Sequence, residues 1–168
     1  MKKHFWVIVV VCLLISGLAC SMSDFENVSD IGISACSYKN GEKGVTCQSA
    51  KADITTPAET QFNVGNQNTP SEITSAPVTF HVTVAGQGEV KVSFKDAAGQ
   101  TVSINATKDQ PGELTAEVAL TRKTVRDAPE ATRTGMDMES VFFIVKVEVV
   151  GGEKAEGVQI NAEVLGVR

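Results

Sequence analysis

Histidine, tryptophan and tyrosine are almost missing from this sequence. Two histidines, one tryptophan and one tyrosine occur in 168 residues, and His4 and Trp6 fall within the first six. A Ser/His/acid triad or a histidine-rich metal site would therefore have to draw on His81 alone. That residue stands in Thr79-Phe80-His81-Val82-Thr83 with no Gly-x-Ser-x-Gly beside it, and it reads as an exposed strand residue. Positive charge is also in deficit, 15 Lys+Arg against 20 Asp+Glu, which excludes the basic stripe of a nucleic-acid surface. Phosphate-binding glycine loops are missing too, since Gly86-Gln87-Gly88 and Gly151-Gly152 lie between alternating segments and read as hairpin turns. Met136 and Met138 offer two thioethers without a His or Cys partner, too little for a soft-metal site. No catalytic residue, metal or cofactor is expected.

What the sequence does have is a strong N-terminal signal. Lys2 and Lys3 precede an uncharged apolar run from Phe5 to Ile15, the layout of a secretory signal. Even extended to Ala19 the run is shorter than the roughly 20 residues a membrane span requires. Small residues then lead into a cysteine: Gly17, Leu18, Ala19, Cys20.

These four positions resemble the lipobox of bacterial lipoproteins, with Gly17 in place of the usual leucine. The resemblance implies a diacylglyceryl thioether on Cys20, cleavage after Ala19, and acylation of the freed amine. Two or more chains hold a protein durably at a membrane, where a single chain gives only marginal binding. Ser21 follows where the family's inner-membrane retention signal is Asp. The resemblance thus implies outer-membrane delivery in a two-membrane cell, and otherwise the outer face of the cytoplasmic membrane.

Removing residues 1–19 leaves 149 residues, enough for one domain with a sizeable core. The remaining chain carries 13 basic and 20 acidic residues, a formal charge of −7. Residues 20–35 are polar and acidic and read as a lipid-anchored tether, part of which docks as an edge. Residues 36–168 form the domain.

Outside the signal and Cys20, two cysteines are left, Cys36 and Cys47. An even pair in an exported chain reads as a disulfide, and Asn40-Gly41 between them is a turn signal that sets them across a hairpin. From Val78 onward the apolar period is two. Val78, Phe80, Val82 and Val84 alternate with Thr79, His81 and Thr83, and the pattern repeats through Val90–Phe94, Val102–Ala106 and Leu114–Leu120. Val141 to Val145 is apolar on both faces, as in a central or doubly covered strand. About eight or nine strands with frequent turns predict an all-β fold. It is a single β-sandwich of immunoglobulin-like or Greek-key type, with crossovers in the long connections at 48–77 and 122–139.

The second of these connections concentrates Arg122, Lys123, Arg126 and Arg133, four of the thirteen basic residues beyond the signal. It reads as a solvated loop whose charges matter little to folding, and as the first place to expect a protein partner. The function expected is a non-enzymatic, membrane-anchored envelope or surface module that binds or supports another component. The alternative is a structural subunit joined to its neighbours by strand-edge pairing, through the tether or the last strand; an unrecognised hydrolase ranks behind both.

Overall fold

The computed structural model describes residues 29–31, 34–38, 44–126 and 137–167. The signal segment, Cys20, the Asn40-Gly41 turn and Arg133 lie outside them. Among the described residues twelve strands and no helix occur: β1 (Ser29–Asp30), β2 (Ala35–Tyr38), β3 (Gly44–Gln48), β4 (Ala52–Ile54), β5 (Ala58–Asn66), β6 (Ser75–Val84), β7 (Glu89–Lys95), β8 (Thr101–Thr107), β9 (Gly112–Ala119), β10 (Thr121–Arg126), β11 (Asp137–Gly151) and β12 (Ala155–Leu165).

They form two sheets packed face to face, a β-sandwich. The first runs β1-β5-β11-β7-β8, with β10 also pairing β11; the second runs β2-β3-β12-β6-β9, with β4 also pairing β12. Every pairing except the short parallel β1–β5 contact is antiparallel. The path from β6 to β9 has Greek-key order. β7 and β8 pair in the first sheet, and β9 returns to lie beside β6 in the second.

The alternation seen in sequence is what packs the two layers. Val78, Phe80 and Val82 from β6 are fully buried against Val90 and Val92 from β7 and Val145 and Val147 from β11, within one continuous core. Its centre is aromatic. Phe80 stacks on Phe94 at 4.4 Å and meets Phe143 edge-on at 5.9 Å, while Phe143 stacks on Phe62 at 5.2 Å.

Several sequence expectations need correction. Among the described residues there are twelve strands where about eight or nine were expected. Residues 121–126 are not a loop but β10, which pairs with β11 from Thr121↔Phe142 to Arg126↔Asp137. Because β10 and β11 are neighbours in one sheet, the chain changes sheets between β9 and β10, ahead of the stretch where the crossover was expected. The last strand is not an edge either, because β12 lies between β6 on one side and β3 and β4 on the other. Its row of buried Val158, Ile160, Ala162 and Val164 needs that central place. Part of residues 20–35 docks on the sandwich, as the tether was expected to: β1 pairs with β5, Ile31 is buried in the core and Ser34 donates to the Gln61 carbonyl.

Two glycines fix the end where β6–β7 and β11–β12 turn. Gly88 has φ 101°, and a Cβ there would collide with the Lys154 carbonyl oxygen. Gly157 has φ 62°, lies where the β12–β4 register shifts, and donates its N–H to Asp53 Oδ1 at 2.8 Å.

Candidate functional site

The disulfide is formed. Cys36 and Cys47 are directly opposed in the β2–β3 register and bonded, with Cα atoms 4.0 Å apart. Cys47 is fully buried in the core.

His81 lies on the outer face of the second sheet, where β6 pairs it with Glu113 of β9. Its Nδ1 is 3.6 Å from Glu113 Oε2, and both side chains are well exposed. Beside it Thr79 and Thr115 share a hydroxyl hydrogen bond of 2.9 Å. These contacts form an ordinary cross-strand ladder between β6 and β9. Among the described residues no three His, Cys, Asp or Glu side chains gather as a metal site would require.

The basic cluster divides. Arg122 is a structural residue: its side chain is only 23% exposed, Nη2 donates to the Pro70 carbonyl and reaches the Ile73 carbonyl at 3.5 Å, and Nη1 lies 3.5 Å from Glu139 Oε2. The guanidinium thus clips the β5–β6 connection to the β10–β11 pair. Lys123 is exposed on the same strand, and Arg126 ends it. The expectation that reversing these charges leaves stability untouched fails for Arg122. Arg122→Ala should lower unfolding free energy by about 1.5–3 kcal/mol, the range for hydrogen bonds to a charged group. Lys123→Ala should change it by less than about 0.5 kcal/mol. Urea melts of the two variants side by side measure the difference, and equal midpoints would contradict the clip.

Two of the surface concavities among the described residues, both larger than a third, went unnoticed in sequence. One, of 480 Å³, lies on the outer face of the first sheet, over Ser93 and Ile144 and between Lys91, Lys95, Lys146 and Glu59. Lys146 Nζ is 2.9 Å from Glu59 Oε1, and Lys95 donates to Thr101 at 2.9 Å. The only hint in the sequence was the apolar run around Ile144, which interrupts the polar outer face. The other, of 530 Å³, lies at one end of the sandwich beside Gly86, Gln87, Lys108, Asp109 and Glu156. Lys154 and Glu156 pair there at 2.6 Å. The hydrogen bond from Lys154, then that from the Gln87 N–H, holds the Glu156 carboxyl below its ordinary range; the same bond to Glu156 raises Lys154. A carboxylate so held is ionised at neutral pH and is poorly placed to act as a general acid.

No protein-family model matches this chain, and no curated protein matches it. Fold and geometry define a disulfide-closed, all-β sandwich whose described polar side chains form ladders and ion pairs.

Proposed function

We propose that this protein is a non-enzymatic lipoprotein of the bacterial cell envelope, anchored through acylated Cys20, whose β-sandwich binds or supports another envelope component. The observation that carries this reading is the Cys36–Cys47 bridge. A cross-strand disulfide belongs to a chain that matures outside the reducing cytosol, in keeping with a signal that runs from Lys2-Lys3 through an apolar core to Ala19-Cys20. Binding is the function to test first. Partner contact is best sought where β10 and β11 extend past the end of β5 at Asn66, with exposed Lys123 level with that end and exposed Met138 beyond it. A positive feature on an acidic protein steers association with acidic surfaces.

Metabolic labelling with an alkyne fatty acid tests the anchor. Cys20→Ser should abolish labelling and leave the precursor uncleaved, with Lys2 and Lys3 still present by mass. A Cys20→Ser protein that still runs as mature, membrane-bound chain would overturn the lipoprotein reading.

A further inference from the structure

Strand β8 is the outermost strand of the first sheet and reads Thr-Val-Ser-Ile-Asn-Ala-Thr. It contains no charge, proline or glycine, and its seven-residue ladder with β7 has no bulge. These are the usual devices that keep a sheet edge from pairing with another chain. The other rims are treated differently, β2 by being only four residues long. The outer side of β9 is met by the β7–β8 turn, where the Ala97 N–H donates to the Glu117 carbonyl at 2.9 Å and Asp96 bridges Val118. β5 is covered at one end by β1, and β10 carries Arg122, Lys123 and Arg126.

The hairpin fixes which backbone groups of β8 face out. The Asp96 N–H donates to the Gln100 carbonyl at 2.9 Å. Counting in twos from that bonded pair, Phe94/Val102 and Val92/Ile104 turn their amides and carbonyls into the ladder. Thr101, Ser103 and Asn105 therefore turn theirs away from β7, the Asn105 carbonyl beside Gly112 at the start of β9, and their side chains are exposed on the outer face.

We propose that β8 is a self-association edge, pairing antiparallel with β8 of a second copy about a two-fold axis at Ser103. Charge placement selects this partner and this direction. Lys95 donates to Thr101 at one end of the strand, and Glu89 accepts from Asn105 at 3.0 Å near the other, where Lys91 stands opposite Asn105 with Glu148 in register on its far side. The two-fold axis sets Thr101 opposite the partner's Asn105, so the ammonium at each end approaches the partner's Glu89 carboxylate within a Debye length of about 8–10 Å. A parallel pairing would bring Lys95 to the partner's Lys95. Only the residue on the axis meets its own copy directly, and a charge there would be repelled; that residue is an uncharged serine. The association is independent of the anchor on Cys20, and it goes beyond the proposed function by naming the first partner as the chain itself.

The test uses the full-length protein, in intact cells and after detergent extraction. With Ser103→Cys, mild oxidation should give a covalent homodimer, since opposed strand residues lie at Cα spacings of about 4.5–5.5 Å, which a disulfide can bridge. Ser103→Lys should weaken dimerisation at least about tenfold in analytical ultracentrifugation while keeping the urea midpoint of the parent, because the side chain is exposed. Ser103→Thr should dimerise like the parent. A monomeric parent with no Ser103→Cys crosslink would overturn the proposal, as would a dimer insensitive to Ser103→Lys. A Ser103→Cys crosslink to a different protein would show a foreign strand on this edge and overturn self-association equally.

Discussion

Truncating Phe80 to alanine should destabilise the domain by about 3–5 kcal/mol, the range for removing a fully buried aromatic side chain. In the aromatic centre, Phe62, Phe94 and Phe143 come from the first sheet and Phe80 alone from the second. Its ring is completely buried. The truncation therefore removes transfer free energy and two ring contacts, and it opens a cavity where the layers meet. Neighbouring Val78 and Val82 are held in the β6 ladder and can fill the space only in part. Against a typical total stability of about 5–15 kcal/mol, the variant would sit near the limit of folding. Phe80→Leu, which keeps most of the volume, should cost clearly less. Urea melts followed by far-ultraviolet circular dichroism measure both, with unchanged slope and shifted midpoint expected. A loss below about 1 kcal/mol for Phe80→Ala would mean the sheets are held together elsewhere.

The same residues show why much of the sandwich was legible before any coordinates. A strand that buries one face writes its period into the sequence, and β6 does so without interruption from Ala76 to Val84. Segment 121–126 has no such record. In Thr-Arg-Lys-Thr-Val-Arg the sole apolar residue is Val125, and the segment becomes a strand because β11, the next strand in the chain, offers it a ladder. Strands β1 and β4 are likewise too short to carry a pattern and are defined by β5 and β12. Misreading β10 also misread Arg122, whose structural role depends on Pro70 and Ile73, some fifty residues earlier in the chain. For the candidate sites the division is similar. The disulfide followed from counting cysteines, whereas β8 was legible as a strand but not as an edge, because strand order is decided by tertiary pairing.

Removing the Cys36–Cys47 bridge should be the second large effect, a loss of about 3 kcal/mol from freeing an eleven-residue separation in the unfolded chain. The native geometry makes the consequence local as well as global. β2 is four residues long and pairs only with β3, at the rim of the second sheet. Yet contacts in and beside it reach the opposite sheet: Ser34 donates to the Gln61 carbonyl and the Tyr38 hydroxyl approaches the Val64 carbonyl at 3.5 Å, both on β5. The bridge therefore anchors a strand that helps close this side of the sandwich. Replacing both cysteines with alanine should lower the urea midpoint, and hydrogen exchange should show the β2 amides losing protection before those of β6 and β11. Reductant should destabilise the parent by a similar amount and leave the double variant unchanged. That comparison separates the crosslink from the small volume lost at buried Cys47. If the reduced parent stayed as stable as the oxidised one, the bridge would contribute nothing to folding, and its value would have to be sought in protecting the rim from proteolysis.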